Sequence, residues 1–104
     1  MIPTYIKGAR GGLFIYDVGD AESLEKIDDW LHLIRRDLNE NEMFPIIVVG
    51  LISRELGKRE VQGAEAKQVA KAKGLDGYIE CNVDTGENVE KAFEALTMLM
   101  LEQY

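Results

Sequence analysis

The side chains able to do chemistry are few, and their spacing brings none of them into an evident pair. His32 is the only histidine. It stands beside Leu31 on what reads as the polar side of a helix, with no cysteine or serine nucleophile at a useful spacing, and a surface histidine is expected. Cys81, the only cysteine, follows Glu80 in an apolar stretch, where a buried and inert thiol is expected rather than a nucleophile. Asp17 ends an apolar run; a metal could in principle sit on it, but capping a turn is the expected role. Asp28 and Asp29 are adjacent and so diverge on a helix, which makes no carboxylate pair. Met98 and Met100 read as core plus fringe, or as part of a sticky surface.

The element these residues are arranged around is Phe44-Pro45-Ile46-Ile47-Val48-Val49-Gly50. An unbroken β-branched run of this length, entered after a proline and closed by a glycine, reads as a strand buried on both faces in the middle of a parallel sheet. Ligands in open α/β sheets bind where strands run out into loops, which makes Leu51-Ile52-Ser53-Arg54-Glu55-Leu56 the first place to look for a site. Before this strand, residues Met1 to Gly12 lack apolar periodicity, although Ile2 to Lys7 allow a turn of helix. Leu13 to Val18 then reads as a first strand. Asp20 or Ser23 can cap a following helix, in which Leu24, Ile27, Leu31, Ile34 and Leu38 form one apolar stripe.

After the middle strand, Gly57 to Glu60 reads as a loop and Val61 to Lys73 as an alanine-rich helix stopped by Gly74. Tyr78 to Val83 is the third strand, and Asn88 to Gln103 a last helix with Val89, Ala92, Phe93, Leu96 and Met100 on its inner face. The expected fold is α/β, a three-stranded parallel sheet in β-α-β-α-β-α order within one domain covering all 104 residues. Right-handed crossovers put the first two helices on one face and the last helix on the other. The first strand then lies at an edge without Lys, Pro or bulge to blunt it. A missing N-terminal part of the domain, a partner chain or the same strand of a second copy is expected beside Leu13 to Tyr16.

Composition narrows the partners. A net charge of −7 argues against nucleic acid or an anionic membrane as the main partner. Arg54, Lys58, Arg59, Lys67, Lys71 and Lys73 are diluted by Glu55, Glu60 and Glu65 and read as a solvated face. A single cysteine permits no internal disulfide. With no signal peptide at Met1, no apolar run near the roughly 20 residues of a membrane span and no prenylation box at the C-terminus, a cytoplasmic protein without a membrane anchor is expected.

Several pieces occur together in one order: Tyr5-Ile6-Lys7-Gly8-Ala9, Tyr16-Asp17-Val18, Ser23-Leu24 with Trp30, Ile46-Ile47-Val48-Val49-Gly50, Lys58-Arg59-Glu60-Val61, Glu80 and Thr85-Gly86-Glu87-Asn88-Val89 with Ala92-Phe93. From Tyr5 to Glu102 the chain resembles the C-terminal half of a Ras-superfamily small GTPase of the Rab and Ras branches. The resemblance implies GTP or GDP with magnesium as the family's ligands. It also implies that phosphate and metal are held by a glycine-rich phosphate loop, a switch threonine and an Asp-x-x-Gly motif, none of which occurs in these residues.

The same resemblance places the guanine pocket in two loops. Where the family reads Asn-Lys-x-Asp, with the aspartate accepting from guanine N1 and N2, this chain has Leu51, Ile52, Ser53 and Arg54. Arg54 carries donors only, a mismatch expected to cost on the order of 10⁴-fold in affinity. Where the family reads Ser-Ala-Lys, the chain has Asn82, Val83 and Asp84. The Val83 amide could still reach a base oxygen, Asn82 could bond locally, and Asp84 reverses the family lysine's charge. Three readings follow: a degenerate module that binds a protein partner or itself through its open edge, a piece of a GTP-binding GTPase needing its N-terminal half from elsewhere, or an enzyme with other chemistry on the same scaffold. No catalytic residue and no metal ligand is read in this chain.

Overall fold

The computed structural model describes residues 11–38, 44–54 and 58–101. The possible helical turn at Ile2 to Lys7, the Tyr5 to Ala9 piece, the polar loop 39–42 and Glu55 to Gly57 lie outside the described residues. The elements are β1 (Gly12–Asp17), α1 (Ala21–Glu25), α2 (Ile27–Asp37), β2 (Ile46–Ile52), α3 (Gly63–Ala72), β3 (Gly77–Asn82) and α4 (Val89–Leu101). The strands form one parallel sheet in the order β1-β2-β3.

Strand alternation sorts β2 between two cores. Ile46 and Val48 join Phe14, Tyr16, Leu24, Ile27, Trp30, Leu31, Ile34, Val61, Ala66 and Ala70 under α1, α2 and α3. Ile47 and Val49 join Cys81, Ala92 and Leu96 under α4. The middle strand is therefore covered on both faces, and the helices divide between the faces as right-handed crossovers require. Each fully buried aliphatic side chain contributes about 1.5–3 kcal/mol, and the α1–α3 face holds most of them.

Beyond shifts of one or two residues at strand and helix ends, three differences from the sequence expectation have a local physical cause. First, β2 runs through Gly50 to Ile52. Gly50 does not end the strand. A Cβ there would meet the Tyr78 hydroxyl at 2.8 Å and the Tyr16 hydroxyl at 2.9 Å, so the glycine makes room for side chains from both neighbouring strands. Second, the first helix is interrupted at Lys26, where one loosened turn separates α1 from α2. Its apolar stripe survives because Leu24, Ile27, Leu31 and Ile34 are all buried, and Trp30 joins them against Phe14 at 5.4 Å. Third, α3 begins at Gly63. Val61 precedes the helix, 1% exposed, with its amide donated to Val18 O at 3.0 Å.

The two sheet edges are treated differently. Gly12 N donates to Pro45 O and Val18 N to Leu51 O, so even-numbered residues of β1 aim their main chain at β2 and alternation turns Leu13, Ile15 and Asp17 outward. Ser23 Oγ accepts the Asp17 amide at 3.0 Å. Leu13 and Ile15 keep outward groups with no partner among the described residues. At the other edge, Val83 N bonds Ile52 O while Asn82 N turns outward to Glu87 O. Asn88, in the left-handed region at φ 68°, donates its side-chain amide to Glu80 O at 2.9 Å. The end of β3 is thus closed by its own loop.

Candidate functional site

The carboxyl ends of the strands bring together the loops that follow β1, β2 and β3. Leu51 and Ile52, expected in a loop, are the last two residues of β2, where Leu51 pairs with Asp17 and Cys81 and Ile52 with Asn82. Continued aliphatic alternation explains it: Leu51 packs on the α4 core and Ile52 on the opposite one.

Beyond them the two loops are stitched to each other. Arg54 N donates to Asp84 Oδ2 at 2.7 Å, and Val83 N to Ile52 O at 3.0 Å. Asn82 Oδ1 accepts from Asp84 N at 2.9 Å and from Thr85 N at 3.2 Å, an Asx turn that shapes the second loop. The Val83 amide, the Asn82 carbonyl oxygen and one Asp84 oxygen are therefore engaged within the chain. The Arg54 side chain is exposed.

The remaining single candidates fall where a plain structural role puts them. Asp17 Oδ1 accepts from Gly19 N at 2.7 Å and caps the turn after β1. His32 is exposed on α2. Cys81 is buried, which pushes its thiol above the ordinary range, and its Sγ lies 3.5 Å from Asn88 O. Met98 is exposed while Met100 packs partly against the α4 core. Among the described residues no group of three His, Cys, Asp or Glu side chains is placed to hold a metal. No helix among them is long and apolar enough to cross a membrane.

A polar network that the sequence reading missed lies under α3. Tyr16 and Tyr78 share a hydroxyl bond at 2.8 Å, and Tyr78 donates to Glu80 Oε2 at 2.5 Å. Arg59 forms an ion pair with the same carboxylate and donates through Nε to Val61 O at 2.6 Å. Burial, then the bonds to Glu80 and Tyr16, push the Tyr78 hydroxyl far above its ordinary range. Burial also pushes up the Glu80 carboxyl, but the hydrogen bonds from Arg59 and Tyr78 outweigh it and hold the group below the usual carboxylate range. The pair in turn raises Arg59.

This network is a clamp. It holds the segment whose Glu60 and Val61 amides both bond Val18 O, and whose Glu60 carboxylate accepts from Ala21 N at the start of α1 at 2.9 Å. Its members are spread from residue 16 to residue 80, which hides them from local pattern. Tyr16, Arg59 and Glu80 were visible as pieces of the resemblance, and Arg59 was expected on a solvated face, whereas it is partly buried and paired with Glu80.

Comparison with known families and proteins agrees with this architecture. Residues 1–102 match the Ras family. The chain is 32% identical over 103 residues to the Ypt/Rab-type GTPase avaA of Emericella nidulans, covering 96% of this chain and 50% of that protein. It is 33% identical over 102 residues to the Ypt/Rab-type GTPase ypt7 of Schizosaccharomyces pombe, covering 95% and 50%. It is 31% identical over 96 residues to the Ras-related protein Rab-5A of Dictyostelium discoideum, covering 89% and 45%. The chain spans about half the length of these curated relatives. Its all-parallel sheet, flanked by helices on both faces, is that of a partial P-loop GTPase domain, and the chain belongs to the Ras family.

Proposed function

We propose that this chain is a Ras-family module that works by taking a strand from a protein partner, or from a second copy, at the open edge Leu13 to Tyr16, and that it does not read guanine by itself. The observation carrying this reading is the β1 edge. The outward main-chain groups of Leu13 and Ile15 are unpartnered among the described residues, and the Ile15 side chain is 49% exposed. The flank of α4 above that edge also carries exposed apolar side chains. A Cβ on Gly11 would touch Leu96 and Met100, so this side of α4 faces β1. At about 100° per residue, Phe93, which was expected on the inner face of this helix, and Leu101 continue round it in the same sense, and they are 58% and 63% exposed. An added strand would pair with Leu13 and Ile15 and bury this face, the β-augmentation mode of recognition.

The residues at the guanine-pocket positions do not fit the base. Guanine N1 and N2 need acceptors, whereas Arg54 supplies donors and the Val83 amide and one Asp84 oxygen are bonded within the chain. GTP or GDP with magnesium is what the family resemblance implies for the full-length relatives.

A second reading is favoured by the half-length match to the relatives: the chain is one part of a GTP-binding GTPase, and the strand at β1 comes from an N-terminal half supplied elsewhere. Light scattering across micromolar concentrations, with and without the phosphate-loop half of a Ypt/Rab-type relative, separates the two, followed by titration of fluorescent GTP with magnesium. The first reading expects association lost in Ile15→Lys and no nucleotide binding in either arm. Saturable GTP binding by the mixture would establish the second reading. A compact monomer that takes up no added half would overturn the second reading and the second-copy form of the first, and would count strongly against an open edge at β1.

A further inference from the structure

On the opposite side of the sheet, between α3 and the outer edge of β3, lies a cleft of about 520 Å³, within the range of ligand clefts. Its floor is apolar, from Ala70, Leu75 and Tyr78, and its outer rim carries Lys67 and Lys71. Lys67 and Lys71 are one turn apart on α3 and share a face. Among the described residues neither makes an ion pair. In a chain of net charge −7 the two ammonium groups give this rim a local positive charge. Asp76, also in the lining, accepts Ile46 N through one carboxylate oxygen at 2.8 Å, and its negative charge sits at the strand end of the cleft, away from the α3 rim.

The wall beneath the lysines is sheet edge. Because Asn82 N turns outward and Val83 N inward, alternation turns the main chain of Tyr78 and Glu80 outward too. Glu80 O is taken by Asn88. The Tyr78 N–H and C=O, beside the cleft, and the Glu80 N–H, further along the same edge, are left pointing outward with no partner among the described residues.

We propose that this cleft docks an acidic peptide in extended conformation, added as a fourth strand along β3 with alternate side chains directed at Lys67 and Lys71. Strand addition gives the main-chain bonds, and the period of two puts every second side chain on the α3 face. The two ammonium groups select carboxylates there. The site does not depend on the β1 edge, which lies across the sheet.

The test is amide NMR of the 104-residue chain titrated with an acetylated, amidated Val-Glu-Val-Glu-Val peptide. Controls are the same peptide with Lys for Glu, a version N-methylated at alternate amides, and sodium phosphate. Saturable shifts at Gly77, Tyr78 and the Lys67 to Lys71 turn are expected. Binding should weaken at least tenfold both with the N-methylated peptide and in Lys67→Glu/Lys71→Glu, which should now prefer the lysine peptide. No saturable shift, shifts confined to Leu13 and Ile15, equal binding of the lysine peptide, or phosphate competing as well as the peptide would each overturn the proposal.

Discussion

Replacing Gly50 by alanine tests whether the middle strand carries a glycine because the polar clamp needs its space. The added methyl would stand 2.8 Å from the Tyr78 hydroxyl, 2.9 Å from the Tyr16 hydroxyl and 3.1 Å from Tyr16 Cζ. One or both rings must move, which breaks the bond they share and loosens Tyr78 from Glu80. Overpacking costs about 1–3 kcal/mol, and a buried hydroxyl left unsatisfied about 1–3 kcal/mol more. Alanine recovers roughly 0.5–1 kcal/mol of strand entropy that glycine forfeits. The net expectation is a loss of about 2–4 kcal/mol, a large share of the roughly 5–15 kcal/mol of a small domain. Urea unfolding followed by the fluorescence of Trp30, which is 3% exposed in the folded chain, measures it as a lower midpoint at unchanged slope. In a Tyr16→Phe/Tyr78→Phe background both hydroxyls are gone, and the same substitution should cost below about 1 kcal/mol. An unchanged midpoint, or an equal loss in the two backgrounds, would refute the reasoning.

The remaining predictions concern the clamp, the stitched loops and the thiol. Because the Glu80 carboxyl is held below the usual range, its contribution is fully present above the ordinary glutamate value of about 4.3 and is lost as pH falls through the lowered folded value. Urea midpoints of Glu80→Gln and the parent chain should therefore differ near neutral pH and converge in acid; a constant difference would count against the ion pair. Asp84→Ala should destabilise by roughly 0.5–1.5 kcal/mol, since it removes the acceptor for Arg54 N, whereas Arg54→Ala should be near neutral because Arg54 enters that bond through its main-chain N–H alone. Equal effects in thermal melts would contradict this. Cys81 should react with a disulfide reagent only as fast as the chain opens, because burial both hides the thiol and disfavours its thiolate. Rapid labelling without denaturant would show that the α4 core is not closed over β3.

The element order, the parallel sheet and the family were legible in the sequence because each is written in local terms. The β-branched run of β2 spells out a strand covered on both faces, and the family pieces keep their order and spacing. Element ends were less legible. Val61 looked helical by composition, yet it is held outside α3 by an amide bond to Val18 O. Leu51 and Ile52 looked like loop because Gly50 looked like a stop.

Sequence by itself also determined the charge and donor type of Arg54 and Asp84, since these belong to the residue. Only the tertiary structure decided how those positions are used, with the Arg54 amide bonded to the Asp84 carboxylate across two loops. The same holds for the four-residue clamp and the lysine-rimmed cleft beside β3. Each joins groups far apart in the chain that meet only after the strands have paired and α3 has docked. A periodicity records which face a residue occupies; it carries no information about which distant residue occupies the place opposite.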